Sequence, residues 1–381
     1  MTEFADHDAD TARTDRMAML LRLLESDPGN LALLADTAEA ALDAHEAQIA
    51  GDLLDRYAAI TPLPPREANL AGLAALQAKR FDRAAEIFSR LVADGAKDSA
   101  VRFNLAWARA NLKEFEAALE ILDDDSARDL AQAAMLRVQL LHEVGDFDAA
   151  GEVARDYITL HPDHHGLMAA VSVLALDIDD EALAEACAAK AGAHPDALTT
   201  KGTLALGHER ATEAVFLFDL ALAANPSLPR AWIGLGLAKL MTGESASAAA
   251  DIDHGAELFG DHLGSWIAAG WAYFVAGDTI TSRARFEAAM ALDATFAETH
   301  GSLAVLDLLG GDIAEATRKS DIALRLDRKC YSAALAKSLI AASGGDQVTA
   351  RRIFDHAART PIGESGRTIG QALAKMGLGA G

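Results

Sequence analysis

Cysteine is almost absent from this chain of 381 residues. Cys187 and Cys330 are its two thiols, too few for a disulfide framework. Aromatic residues make up only 6%. Basic residues are also scarce, 34 Lys and Arg against 57 Asp and Glu, for a formal charge of −23. That balance excludes a basic nucleic-acid footprint, and an anionic membrane surface would repel it. Long apolar runs are missing too. The stretch 266-WIAAGWAYFVAG-277 falls short of the ~18–20 residues that cross a bilayer, so no direct membrane insertion is expected. The opening MTEFADHDAD is acidic and has no apolar core, unlike a secretory leader, and a cytoplasmic location is expected. β-Branched alternation is rare, which argues against strands. What is present is apolar material, 51% of the residues, enough to exclude intrinsic disorder. The alanine and glycine content points to a bacterial source.

That apolar material is periodic. The segments 195-PDALTTKGTLALGHERATEAVFLFDLALAANP-226, 229-PRAWIGLGLAKLMTGESASAAADIDHGAELFG-260 and 263-LGSWIAAGWAYFVAGDTITSRARFEAAMALDA-294 align, with starts 34 residues apart. Extending the frame gives units from 31, 65, 99, 131, 164, 195, 229, 263, 297 and 331, about ten in all. Each unit has an apolar-periodic stretch ending at a break such as Gly145-Asp146, Gly243-Glu244, Gly277-Asp278, Gly311-Asp312 or Gly345-Asp346. A second helical stretch follows, often closed by proline: Pro62, Pro162, Pro195, Pro226. Glycine caps a helix end in a left-handed conformation and proline stops the next helix, so the unit is a helix hairpin. Small residues recur at the eighth position (Gly72, Ala106, Gly202, Gly236, Gly270) and the twentieth (Ala84, Ala118, Ala214, Ala248), where two antiparallel helices would cross. Larger residues stand at the twenty-fourth (Leu54, Phe88, Leu122, Phe218, Ile252, Phe286).

This pattern resembles the tetratricopeptide repeat family, whose 34-residue unit carries Trp, Leu-Gly, Tyr, Ala, Phe, Ala and Pro at fixed places. The unit from 229 has Trp232, Leu235, Gly236, Ala248 and Ile252; that from 263 has Trp266, Gly270, Tyr273, Phe286 and Ala289. The resemblance implies an all-α fold, an α-solenoid in which antiparallel helix hairpins stack as a right-handed superhelix. Expected boundaries are a disordered 1–12, a capping helix at 13–30, hairpins over 31–362, and a final capping helix with tail at 363–381. Two departures stand out. Asp125 takes a small position in the unit from 99, beside Asp123 and Asp124, and the unit from 164 has Leu183 and Lys190 where small residues belong. A one-residue shift of frame and a local bend or weaker joint are expected there.

Catalytic and cofactor signatures are missing. There is no phosphate loop, no H-E-x-x-H, no C-x-x-C and no G-x-S-x-G; neither catalytic residues nor cofactors are assigned, and the chain does not read as an enzyme. Cys187 and Cys330 read as packing residues. The run 161-HPDHH-165 lacks a second ligand group and reads as a solvated junction with Asp163 capping the next helix, not as a metal site. The acids at 123–125 read as a solvated helix end.

In the family, the first helix of each hairpin lines a groove with its second, fifth, ninth, twelfth and thirteenth positions. Here those positions carry Phe103, Trp107, Met135, Ile233, Leu237, Met241, Ile267, Trp271, Phe274, Val305 and Leu308, with Val275 and Leu309 at thirteenth positions. Lysine is missing from them and the basic ones are Arg66 and Arg230, which does not suit a two-carboxylate peptide clamp. The expected partner is another protein, offering an apolar or amphipathic segment with basic flanks; Trp107 and Trp271 are the expected anchors. Groove burial by residues 364–381 or by self-association is the competing expectation. The function expected is a non-catalytic scaffold or chaperone. The alternatives are a cytoplasmic accessory of a secretion or envelope-assembly system, or a regulatory subunit of an enzyme on another chain.

Overall fold

The computed structural model describes residues 2–359, so the helix and tail expected over 363–381 lie outside the described residues. Every regular element among them is a helix. The chain divides into two compact units, residues 1–178 and 179–381. The first opens with α1 (Thr2–Ser26) and continues with the pairs α2 (Leu31–Asp43) and α3 (Ala47–Ile60), then α4 (Pro65–Gln77) and α5 (Phe81–Ala93). It goes on through α6 (Ser99–Asn111), α7 (Phe115–Ile121), α8 (Asp124–Asp129), α9 (Ala131–Glu143), α10 (Phe147–Leu160) and α11 (His165–Asp177). The second unit begins with α12 (Glu181–Ala191), followed by α13 (Pro195–Gly207) with α14 (Ala211–Ala224) and α15 (Pro229–Thr242) with α16 (Ser245–Phe259). Three more pairs complete it: α17 (Leu263–Val275) with α18 (Thr279–Leu292), α19 (Ala297–Leu309) with α20 (Ile313–Leu326), and α21 (Tyr331–Ser343) with α22 (Gln347–Ala358). Helix α1 begins well before residue 13, so helix occupies the stretch expected to be disordered. Its Met17 and Leu24 are buried in one cluster with Leu34 and Leu54.

The hairpin turn explains the periodicity. One residue per repeat is left-handed: His45, Lys79, Lys113, Gly145, Asp179, Glu209, Gly243, Gly277, Gly311 and Gly345, with φ from 55° to 90°. This conformation costs a residue with a Cβ roughly 1–2 kcal/mol and glycine almost nothing. The next residue starts the second helix, and where it is aspartate its carboxylate accepts a backbone N–H in the first turn. Asp146, Asp180, Asp278, Asp312 and Asp346 all do so, at 2.9–3.1 Å. The Gly-Asp breaks of the sequence are thus a left-handed cap followed by an N-cap. Counting back fourteen residues from each left-handed residue recovers every unit start except one. Asp179 gives 165, where α11 begins, and Ala184, fully buried, replaces Leu183 at the small position.

Packing between paired helices is a matter of complementary volume. Where the eighth position is glycine, the twenty-fourth is large. A Cβ on Gly72 would stand 2.5 Å from Phe88, and one on Gly202 2.8 Å from Phe218. Gly236 faces Ile252 and Gly270 faces Phe286 in the same way. In two units a larger eighth residue meets a small partner, Val138 with Ala154 and Ala304 with Ser320, all buried, whereas Ala38 with Leu54, Ala106 with Leu122 and Ser338 with Phe354 keep the large one. A close-packed interior fixes the sum rather than either member. The fourth position ties each hairpin to the preceding loop. Trp232 donates its indole N–H to the Pro226 carbonyl (2.8 Å), Trp266 to Gly260 (2.7 Å), and His300 places its Nε2 2.8 Å from the Ala294 oxygen.

Residues 115–130 depart from this plan. Helix α7 stops after seven residues, and the acids start a second short helix instead of ending the first in solvent. Asp123 caps α8 by accepting the Ser126 N–H (2.9 Å) and pairs with Arg102. Asp124 accepts from the buried Tyr157 hydroxyl (2.6 Å) and from Arg128 (2.7 Å). The freed Leu122 carbonyl accepts from Arg137. Partial burial alone would raise the Asp123 carboxyl, but hydrogen bonds from Ser126 and the charges of Arg102 and Arg137 hold it below its ordinary value. The bend expected here is a broken helix; Asp123 and Asp124 are partnered rather than solvated, while Asp125 is exposed as expected.

Candidate protein-binding face

The first helices of the second unit carry the expected apolar residues at two depths. Val305 is closed off, 1% exposed against Ala304, Ala336 and Trp271, and is withdrawn from the candidate face. Ile267, Trp271 and Phe274 are half-buried on the core formed by Phe286, Leu303 and Leu306. The Trp271 ring stands edge-on to Phe286 at 5.5 Å and to Phe274 at 5.3 Å. Ile233 leans on α16, its Cγ1 2.6 Å from where a Cβ on Gly255 would be. Leu308 is half-buried as well. At the outer level Leu237 and Met241 are each 36% exposed, and Val275 and Leu309 each 59%. Leu339 of α21, also exposed, was not picked out because the last unit has few residues that match the family pattern.

The same positions in the first unit are different. Phe103 and Trp107 stack at 6.3 Å, with Trp107 exposed and Phe103 packed on the core around Leu136 and Leu140. Met135 turns its sulfur to the start of α11, 2.9 Å from a Cβ position on Gly166. The rest is polar. Asn111 donates to the Trp107 carbonyl (2.8 Å) and Arg66 pairs with Glu39 at 2.9 Å.

Charge in the second unit is drawn into pairs between helices. Asp253, 6% exposed, accepts from Arg285 (2.6 Å) and from the Tyr273 hydroxyl (3.1 Å), while Asp307 accepts from Arg283 (2.7 Å) and Lys319 (2.6 Å). Burial, then the Asp253 charge, pushes the Tyr273 hydroxyl above its ordinary value. Lys239 is held by Asp251 at 2.6 Å. Glu298 accepts the backbone N–H groups of Tyr331 (2.7 Å) and Ser332 (3.2 Å), so it caps α21 from α19.

The residues considered for chemistry have structural partners. Cys187 and Cys330 are buried, and burial raises both thiols. In the histidine run, His161 Nε2 lies 3.0 Å from the Ala127 carbonyl, and His164, not Asp163, caps α11. No group of three or more His, Cys, Asp or Glu positioned for a metal occurs among the described residues. No helix among them is long and apolar enough to cross a membrane.

Models of the tetratricopeptide repeat match residues 75–140 and 199–253. These two stretches are tetratricopeptide repeats. Two solved structures of monomeric IFIT1 mutants, titled with m7Gppp-AAAA and with Gppp-AAAA, share the fold at 11% identity with a TM-score of 0.53, covering 87% of this chain and 90% of theirs. The APC/C hetero-tetramer Cut9-Hcn1 is 14% identical over 84% of this chain and 77% of that one, with a TM-score of 0.37. No curated protein matches the chain by sequence. Tetratricopeptide repeats serve in general as protein-interaction scaffolds, and the α-solenoid of paired helices is the architecture they share.

Proposed function

We propose that this tetratricopeptide protein is a non-catalytic scaffold or chaperone, cytoplasmic in setting, that holds an apolar or amphipathic segment of another protein on the first helices of its second unit. One observation carries the reading. At the thirteenth position Met241, Val275 and Leu309 are exposed in three successive units, and Leu237 and Leu339 extend the strip. Exposed apolar side chains in a row favour a partner that removes them from water, at ~25 cal/mol per Å² buried. The strong negative charge favours a partner with basic residues beside its apolar segment, through faster encounter.

The test uses the two most exposed members, because Trp271 is part of the core and its loss would confound folding with binding. In affinity purification, a protein recovered with the parent chain is expected to be lost from the variant carrying Val275→Glu and Leu309→Glu, and retained by a Gln77→Glu control. Circular dichroism of all three should coincide. Equal recovery by parent and double variant would overturn the reading.

A further inference from the structure

Where an N-cap side chain accepts at a helix start among the described residues it is usually the oxygen of aspartate or asparagine, but α11, α13 and α17 start on histidine. The imidazole Nδ1 of His164 accepts the Leu167 N–H at 2.9 Å, and that of His262 accepts the Ser265 N–H at 3.2 Å and lies 2.6 Å from the Ser265 hydroxyl. Both sites share a local design, His164-His165-Gly166-Leu167 and His262-Leu263-Gly264-Ser265. The glycine two places on makes room for the ring, since a Cβ there would lie 3.3 Å or 3.2 Å from the imidazole Cε1. The capped residues, Leu167 and Ser265, are buried.

A ring nitrogen that accepts a hydrogen bond must be unprotonated. Protonation would turn an acceptor into a donor facing another N–H, and would set a positive charge at the positive end of a helix dipole. We propose that His164 forms an acid-sensitive latch, so that protonation releases the first turn of α11 while the remainder of the chain stays folded.

The surroundings of His164 reinforce this. Burial comes first and the charges of His161 and His165 second in lowering its proton affinity below the ordinary 6.5. The α9 neighbour at that turn is the uncharged Met135 sulfur. The other two histidine caps have a further partner at the ring: the Ser265 hydroxyl oxygen lies 2.6 Å from His262 Nδ1, and the Asp196 carboxylate lies 3.8 Å from His194 Nδ1.

The sign follows from linkage. The native state binds fewer protons at His164 than the unfolded chain does, so the latch holds fully above the ordinary value and is lost as pH falls from there toward the lowered native value. The experiment is amide hydrogen exchange of the full chain at pH 7.5 and 5.5, corrected for intrinsic rates, with His164→Asn. Asparagine caps well and does not titrate. Protection of Leu167 is expected to fall about tenfold with acid in the parent and to stay flat in the variant. The same fall in parent and variant, or no fall in the parent, overturns the proposal. Should a variant fail to fold, NMR titration of the parent decides: Nδ1 protonated on His164 at pH 7.5, or a midpoint at or above 6.5, is contrary to it.

Discussion

The two units repeat one plan with opposite residues at two matched places. At the thirteenth position the first unit shows water Asp43, Gln77, Asn111, Glu143 and Asp177, whereas the second shows Gly207, Met241, Val275, Leu309 and Ser343. At the left-handed turn the first uses His45, Lys79 and Lys113 before its one glycine, Gly145, while the second settles on Gly243, Gly277, Gly311 and Gly345. The turn difference is backbone strain; the thirteenth-position difference is surface chemistry. Neither changes the hairpin, because its packing depends on the eighth, twentieth and twenty-fourth positions, which lie on other faces of the helices in both units. Fold and surface are therefore encoded on separate residues, and a scaffold can change what it binds without changing how it stacks.

The sharpest way to break that separation is to attack a packing position. Ala214 is fully buried where α13 and α14 cross. Ala214→Glu should cost on the order of 4 kcal/mol or more, by overpacking and by burying a charge. Urea denaturation should show the second unit melting early, and an unchanged midpoint would refute the crossing.

A smaller effect tests the volume rule in the first unit. Gly72→Ala sets a methyl against the Phe88 ring and should destabilise by about 1–3 kcal/mol. Adding Phe88→Leu should recover part of the loss, so a double-mutant cycle with no coupling would count against complementary volume. The turns come next. Lys79→Gly or Lys113→Gly should be neutral or stabilise by up to about 1 kcal/mol, and Gly277→Ala should cost about 1–2 kcal/mol. Equal effects of both kinds would mean that the turn strain is relieved elsewhere.

Acid should act on the caps of the second unit. Hydrogen bonds from the Thr281 side chain and backbone hold the Asp278 carboxyl below its ordinary value, and those from Thr349, backbone first, do the same for Asp346. The native state binds fewer protons at these groups, so their contribution is present above the ordinary 3.8 and is lost as pH falls through the lowered values. Replacing Asp278 by Asn, which caps without titrating, should flatten the stability profile below pH 4; an unaltered slope would show that the cap is not coupled to folding.

Most of the fold could be read from the sequence because the hairpin is specified locally. Gly-Asp breaks, small residues in phase and large partners at the twenty-fourth place each act through near neighbours. The irregular region was harder. Nothing in Asp123-Asp124-Asp125 itself distinguishes a frayed helix end from an acid cluster met by Arg102, Arg128, Arg137 and Tyr157, since Tyr157 lies 33 residues from Asp124. The histidine cap was missed for a related reason. Asp163 is the commoner capping residue, and the room that Gly166 leaves for an imidazole appears only with the ring in place. For the candidate face, the depth of each residue was not legible in the sequence. Val305 and Trp271 are drawn into the core by side chains of neighbouring helices, while Val275 and Leu309, one residue beyond Phe274 and Leu308, remain in water.

The measurement that bears most directly on the separation of stacking from recognition is partner recovery by the Val275→Glu, Leu309→Glu chain alongside its thermal midpoint. The account predicts an unchanged midpoint and lost recovery. Full recovery at an unchanged midpoint would contradict it, because the exposed apolar row would then be a surface without a ligand.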